Sequence, residues 1–405
     1  MTYEEAVAVL FGQLPMFQRD GPAAYKEGLE GTWAVLDLCG HPEEGLQAIH
    51  VAGTNGKGSV CHQVAAALQC AGYKTGLFTS PHMRDFRERI RVNGEPVREE
   101  RVVDFVSRYQ GRWGQPSFFE LTWGLALETF RAEQVDVAVI ETGMGGRLDS
   151  TNVLAQPLVV AVTNVGLDHQ AFLGPDVRSI AREKAGILKE GVPVVLGRMR
   201  PEAQSVLLEQ SLRTANEVHF AGVEPAWPGE APYAAENRAT ARKILEVLDA
   251  LPGWEVPPAA MASGLRDYKE LTGQTGRWTW LPPAPSGARV LADCAHNVDG
   301  FARTVDAVRA EVPGGRLRVV FGTVADKDLG EVWPGLPAEA TYYWCAASIP
   351  RALAAEELAV LAEAAGRRGR ACGGVAEALA AARAESQPQD LIWVTGSIFV
   401  VAEAR

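Results

Sequence analysis

Five short apolar runs constrain this chain more than any other feature: Ala48–Gly53, Thr75–Ser80, Val135–Glu141, Leu158–Asn164 and Val192–Gly197. Each is nearly continuous rather than alternating, the pattern of a strand covered on both faces, as in a parallel sheet. Helical patterns fill the gaps, notably Lys57–Ala71, Ser117–Glu133, Asp176–Leu188, Pro201–Asn216 and Glu236–Leu251. Strands alternating with helices predict an α/β fold with a doubly wound, mostly parallel sheet.

The texture changes at Leu281–Gly287, LPPAPSG, whose prolines suit neither a helix interior nor a central strand. Beyond it the alternation restarts on a smaller scale. Strands are expected at Arg289–Ala292, Leu317–Gly322, Thr341–Ala346 and Leu391–Thr395, and helices near Gly300–Glu311, Ala354–Ala365 and Val375–Glu385. The expectation is a first domain over 1–280, a linker at 281–287 and a smaller α/β domain over 288–405. A length of 405 residues accommodates this division.

Lys and Arg number 39 against 50 Asp and Glu, a formal net charge of −11. That argues against a general nucleic-acid binder or a membrane-surface protein, which need a basic field. An anionic substrate must instead meet local positive charge. The six cysteines form no CxxC pair, which fits reduced thiols in the cytoplasm better than a zinc or disulfide framework. The N-terminus lacks the basic segment of a signal peptide, and no apolar stretch is long enough to span a bilayer.

The strongest local signal is Gly53-Thr54-Asn55-Gly56-Lys57-Gly58-Ser59, between an apolar strand and a helix. Glycines let backbone wrap closely round phosphates while the helix amides point at the anion. Lys57 would add a point charge at the β/γ-phosphates. The spacing departs from G-x-x-x-x-G-K-[ST], because two residues separate Gly53 from Gly56 and Gly58 precedes the hydroxyl. The bland alternative is a glycine-rich turn carrying a solvated lysine.

Further along, Val135–Ile140 ends in Glu141, followed by TGMGGRLD. A carboxylate at the end of a buried strand beside a phosphate loop is where Mg²⁺ is held, directly or through water, the lesser alternative being a strand-end cap on a loop. The next strand ends in Asp168-His169, and Lys184 follows in an amphipathic helical pattern. Alone these read as a structural histidine and a solvated helix charge. Near a metal or nucleotide, Lys184 would be desolvated enough for its amine to become neutral. The arginines of Met83–Val92 offer either a positive site for carboxylates or a solvated loop of paired charges, and Trp278 and Trp280 offer either stacking on a ligand or, more commonly for alternating aromatics, packing on a strand.

Taken together, the segments HVAGTNGKGS (50–59), GLFTSPHM (76–83), FRERIRVNG (86–94), SFFELT (117–122), ETGMGGRLDSTN (141–152), TNVGLDH (163–169), IAREKAGILK (180–189), DCAHN (293–297) and VTGS (394–397) resemble the folylpolyglutamate synthase/dihydrofolate synthase family of the Mur ligase superfamily. The resemblance implies a P-loop domain followed by a Rossmann-like Mur ligase C-terminal domain. It implies ATP binding by Gly53, Thr54, Asn55, Gly56, Lys57, Gly58 and Ser59, with further contacts from Asn237, Arg277 and Asp293. Ser80, Glu141 and His169 match the family's Mg²⁺ ligands. Lys184 matches a lysine that CO₂ carbamylates, able to bind a second Mg²⁺. Lys57, Lys184 and His296 match catalytic positions, His296 facing the reaction centre from the C-terminal domain. Pro81, His82, Arg89, Phe119, Glu120, Thr122, Arg147 and Asp149 fall on the pterin, folate and glutamate side.

The chain also departs from the family. Tyr233-Ala234 replaces a frequent His-Gln before Asn237, Gly28-Leu29-Glu30-Gly31 lacks the arginine of G-L-x-R, and Cys294 stands where glycine is commoner. The implied chemistry is ATP-dependent addition of L-glutamate to dihydropteroate, to a folate, or to both, through an acyl phosphate, in a cytoplasmic monomer. Two alternatives stay open at this point: a Mur-type ligase acting on a UDP-muramoyl peptide, and a P-loop switch without ligase activity.

Overall fold

In the computed structural model, residues 1–21 and 28–405 are described. They form two compact units. The second comprises Gln18–Gly21, Ala226–Tyr233 and Thr275–Arg405, and the first holds the remaining described residues through Gln274.

The first unit is built on strands β1 (Ala48–Ala52), β2 (Thr75–Phe78), β3 (Ile90–Val92), β4 (Glu95–Pro96), β5 (Val137–Glu141), β6 (Val159–Val162), β7 (Val194–Leu196) and β8 (Val218–Phe220). Their order across the sheet is β4-β3-β2-β5-β1-β6-β7-β8. From β2 to β8 every pairing is parallel, and β3 and β4 add an antiparallel edge. All five residues of both β1 and β5 are buried, which is why each reads as a continuous apolar run. Because β1 lies between β5 and β6, with Val51 opposite Glu141 and Ala52 opposite Val162, three loops leave one sheet edge side by side. That carboxyl edge is where open α/β sheets bind ligands.

Two helices of this unit pack closely together. A Cβ built on Gly264, in the helix Pro258–Thr272, would lie 2.3 Å from Ala67 N and Cα in the helix Lys57–Cys70. Only glycine permits that approach. His62 Nδ1 lies 2.7 Å from Thr272 Oγ1, so the end of one helix is tied to the first turns of the other.

The second unit carries β9 (Thr279–Leu281), β10 (Arg289–Ala292), β11 (Leu317–Phe321), β12 (Thr341–Ala346), β13 (Gly369–Gly374) and β14 (Leu391–Thr395). Their order is β13-β12-β11-β14-β10-β9, parallel except for β9 against β10.

Residues 281–287 are therefore not a linker. They close a turn within this sheet, with Ala284 N donating to Ala288 O at 2.9 Å and Gly287 N to Ala284 O at 2.8 Å. The chain passes into the second unit earlier, at Gln274/Thr275. Prolines suit such a turn as well as a linker, which is why composition misplaces the boundary. The strands β3 and β13 also escape the apolar-run criterion, β3 because Arg91 interrupts it and β13 because it reads GRACGG. The helices Tyr3–Gln13, Glu30–Cys39, Glu99–Tyr109 and Pro258–Thr272 extend the expected set.

Candidate functional site

The turn after β1 needs its glycines. Gly53 has φ +155° and Gly56 φ +84°, and a Cβ on them would collide with Thr163 Oγ1 and Asn237 Oδ1 respectively. The loop is anchored to the segment after β6: Thr54 N donates to Asn164 O at 3.0 Å, Asn55 N to Asn164 Oδ1 at 3.0 Å, and Thr163 Oγ1 to Asn55 O at 2.7 Å. Gly56 caps the helix Lys57–Cys70 without a side-chain acceptor, so its first-turn amides remain available to an anion. Lys57 Nζ folds back onto the loop, donating to Gly53 O at 3.1 Å and Thr54 O at 3.4 Å. Ser59 is buried in the same first turn. Asn237, from the helix Ala234–Asp249, stands against Gly56 and is thereby brought to the loop.

Glu141, at the end of β5, is 5% exposed and accepts from Ser80 N at 3.0 Å. A Cβ on Gly58 would lie 3.4 Å from Glu141 Oε2, so this carboxylate faces the start of the phosphate-loop helix. Among the described residues, no three His, Cys, Asp or Glu side chains form a ready-made metal cage. Mg²⁺ characteristically keeps several waters and takes only one or two carboxylates plus substrate phosphates. One buried carboxylate beside a phosphate-binding turn therefore fits such an ion. Ser80 joins it through its backbone, next to a cis Ser80–Pro81 bond. His169 is exposed with φ 51°, and its amide donates to the buried Asp168 at 3.1 Å.

Lys184 is not the solvated helix charge its sequence position suggests. It is 2% exposed and donates from Nζ to Gly53 O at 2.9 Å. Burial, then the charge of Lys57, lowers its pKa to about 7, against the opposing pull of Asp168 and Asp149. Two cationic side chains thus converge on one carbonyl of the phosphate loop.

The residues expected on the acceptor side divide into those tied up locally and those that are not. Glu120 forms a capping box with Ser117 at the start of the helix Phe118–Glu133. Thr122 Oγ1 donates to Phe118 O at 2.7 Å and is buried. Asp149 accepts from Met144 N at 2.8 Å and Thr151 N at 3.0 Å, organising the loop after β5, and burial raises its pKa. Arg147 is largely exposed and pairs with Glu183 at 3.0 Å. Phe119 is half-buried and packs against Phe78 with ring centroids 5.6 Å apart.

The Met83–Val92 segment is mixed in character. Arg87 pairs with Asp85 at the surface, but Arg89 and Arg91 are buried. Arg89 Nε donates to His82 Nδ1 at 2.7 Å, and its guanidinium lies 5.1 Å from the centroid of the Phe118 ring. Burial, with Arg89 adding to it, lowers the His82 pKa to about 3, so this histidine acts as a neutral acceptor. Burial also lowers Arg89 to about 9, with Glu141 and Glu88 opposing. Pro81 precedes His82 in the same turn, partly exposed.

In the second unit, Asp293 follows β10 and is buried. Its Oδ2 accepts from Tyr233 Oη and from Trp278 N at 2.9 Å, and its Oδ1 accepts from Ala295 N at 3.1 Å. His296 Nδ1 lies 2.9 Å from Cys294 O, which fixes the ring and directs Nε2 away from that carbonyl. Cys294 Sγ donates to Gly276 O at 3.0 Å, drawing the turn before Arg277 to the turn after β10. Asn297 caps the next helix, Gly300 N donating to its Oδ1 at 2.8 Å. Trp278 is buried, while Trp280 is partly exposed under the Arg289 guanidinium at 4.9 Å.

Comparison with known proteins matches residues 51–227 to the Mur ligase middle domain and residues 276–398 to the Mur ligase glutamate ligase domain. The chain is 32% identical over 392 residues to the dihydrofolate synthase/folylpolyglutamate synthase of Bacillus subtilis, covering 88% of each. It belongs to the folylpolyglutamate synthase/dihydrofolate synthase family. The Escherichia coli enzyme of the same description is 34% identical over 391 residues, 93% of this chain and 90% of that one. A probable bifunctional folylpolyglutamate synthase/dihydropteroate synthase of Haloferax volcanii is 36% identical over the whole chain, which spans about half of that relative's length. Among solved structures, E. coli FolC in complex with DHPP and ADP superposes with a TM-score of 0.85 at 29% identity, covering 100% of this chain and 96% of that one. A family enzyme with Mn, AMPPNP and L-glutamate bound gives a TM-score of 0.82 at 27% identity, covering 100% and 97%.

Within the family frame, Tyr233 is the residue that sequence reasoning passed over. In sequence it stands out only as a departure from the family pattern, yet its hydroxyl is a direct partner of Asp293. No local pattern signals it, because the pairing joins residues 60 apart in sequence.

Proposed function

We propose that this chain is an ATP-dependent ligase that joins L-glutamate to the free carboxylate of a pteroyl acceptor, dihydropteroate or a reduced folate, through an acyl phosphate. The supporting observation is the convergence at one sheet edge of an uncapped helix start, Lys57, Lys184 and the buried Glu141.

The acceptor carboxylate attacks the γ-phosphorus, the bond to ADP breaks, and an acyl phosphate forms. Bringing a carboxylate to a triphosphate requires that negative charge be neutralised in a fixed geometry. The amides of Lys57, Gly58 and Ser59 and the Lys57 ammonium supply that in the loop, with Thr54, Asn55 and Asn237 shaping its wall. Glu141 and Ser80, with His169, would hold the divalent cation, which screens phosphate charge when bound. The glutamate amine, having lost its ammonium proton, then attacks the acyl carbon. The tetrahedral adduct expels phosphate and the nitrogen gives up a second proton.

The resemblance to the family would give Arg277 and Asp293 a role in nucleotide binding and His296 one in the reaction. The boundary of the second unit is proposed at the observed 274/275 passage rather than at 281–287. In the first unit, Pro81, His82, Arg89 and Phe119 serve the acceptor, while Glu120, Thr122 and Asp149 act by fixing the helix and loop that carry them. Lys184, neutral in about half of molecules near its pKa of about 7, is the amine that CO₂ can convert to a carbamate. A cytoplasmic monomer is part of the same proposal; no helix among the described residues is long and apolar enough to cross a membrane.

The test is ADP release with dihydropteroate, tetrahydrofolate or a UDP-muramoyl peptide, each with and without L-glutamate. Glutamate-dependent release with at least one pteroyl acceptor, and none with the muramoyl peptide, is expected. Turnover indifferent to every acceptor would overturn the assignment.

A further inference from the structure

Gln274 lies just beyond the helix Pro258–Thr272, past Gly273, which closes that helix in the left-handed conformation with φ +66°. Its position is set by packing. Gly264 seats this helix on the phosphate-loop helix, and the His62–Thr272 contact at 2.7 Å ties its last residue to the first turns of that helix. Arg91 closes the other side, its guanidinium nitrogens 3.3 and 3.4 Å from a Cβ built on Gly273.

From this point the Gln274 carboxamide reaches the phosphate loop. A Cβ on Gly58 would stand 3.8 Å from Gln274 Nε2 and 3.4 Å from Glu141 Oε2. The amide and the carboxylate therefore converge over the same residue. Gln274 Oε1 is buried without a hydrogen-bond partner. A buried carbonyl left unpaired is costly, and it marks a place where a ligand's donor can be received.

We infer that Gln274 is a positioning residue for the nucleotide's divalent cation, its carbonyl oxygen accepting a hydrogen bond from a water in that cation's shell. The inference rests on the reading of Glu141 as the carboxylate of a Mg²⁺–nucleotide site. A strongly hydrated ion held by few protein ligands is oriented through its waters, and outer-shell acceptors then set its affinity. No motif announces Gln274, because it becomes a neighbour of Gly58 only through the packing of two helices.

The experiment is calorimetric titration of AMPPNP into the full chain at a series of Mg²⁺ concentrations and in EDTA, for the wild type, Gln274→Met and Gln274→Glu. Gln274→Met keeps the length and removes the acceptor. It should raise the Mg²⁺ concentration for half-maximal enhancement of nucleotide affinity by about tenfold. Affinity in EDTA and the thermal midpoint of the ligand-free protein should stay unchanged. Gln274→Glu retains an acceptor and should restore a Mg²⁺ requirement at or below that of wild type. An unchanged Mg²⁺ requirement in Gln274→Met would overturn the inference while leaving the nucleotide site intact. So would equal loss of affinity with and without Mg²⁺, or a lowered midpoint, which would mark a structural role. A wild type whose AMPPNP affinity does not respond to Mg²⁺ would overturn both this inference and the reading it rests on.

Discussion

Lys57→Ala should reduce kcat/KM for ATP by roughly 10²–10³-fold, the scale seen when a charge-stabilising donor is removed from a reaction centre. The reasoning starts from geometry. Among the described residues, Lys57 Nζ donates to two backbone carbonyls, those of Gly53 and Thr54, at 3.1 and 3.4 Å. These are weak anchors for an ammonium, and a triphosphate in the loop would outcompete them. The loop itself does not depend on the lysine, because Asn164 and Thr163 hold Thr54 and Asn55 from the segment after β6. The variant should therefore fold, with a thermal midpoint near that of wild type in the absence of nucleotide, and fail in steady-state assays. Unchanged kinetics would remove Lys57 from the reaction.

The second large effect concerns Lys184. Lys184→Ala should lower turnover by about a hundredfold, on the scale of losing a charged group that orients a reacting phosphate, with partial rescue by formate or acetate. Carbamylation joins the neutral amine nitrogen to the carbon of CO₂ and releases one proton. It needs an amine with a substantial uncharged fraction near neutrality, which burial and the adjacent Lys57 supply. Wild-type activity should accordingly fall in CO₂-depleted buffer and recover with bicarbonate, while the alanine variant responds to neither. Rescue by neutral amides as readily as by formate would contradict a carboxylate role.

The same group predicts a stability trend. For the unmodified amine, the folded-state pKa of about 7 lies below the unfolded value of 10.5. Between those values the unfolded chain binds more protons, so this lysine's contribution to stability rises with pH across that window. Measured by denaturant unfolding in CO₂-free buffer, Lys184→Met should lack that rise.

Those two lysines also show what was legible in the sequence. Lys57 sits in a local pattern whose strand, glycines and helix start all lie within a few residues, so loop and edge could be read directly. Glu141 was legible for the same reason, as the end of an apolar run. Lys184 was legible only through resemblance, since its helix pattern alone says solvated charge, and its burial comes from packing against the loop after β1. The parallel core was plain because its strands are buried on both faces. The antiparallel edges were not: Arg91 in β3 and the glycines of β13 hide strand character that pairing supplies.

Proline content cannot distinguish a linker from a turn inside a sheet, which is why 281–287 reads as a linker in sequence and is a turn between β9 and β10 in the structure. Contacts made by chain-distant pairs were the least legible. Tyr233 with Asp293 and Gln274 over Gly58 exist only once helices and turns have packed, and neither carries a local signal. Glu120 and Thr122 match a family segment, and their local partners are equally invisible to a motif: Glu120 joins Ser117 in a capping box and also accepts from Thr32, and Thr122 donates to Phe118 O.

If ATP primes a carboxylate before the amine attacks, the oxygen atoms report it directly. Dihydropteroate labelled with ¹⁸O in its carboxylate should be turned over with ATP and L-glutamate, and the released phosphate analysed by ³¹P NMR. Transfer of one labelled oxygen into phosphate, with ADP as the other product, is the result the account predicts. Unlabelled phosphate, or label appearing in AMP, would contradict it.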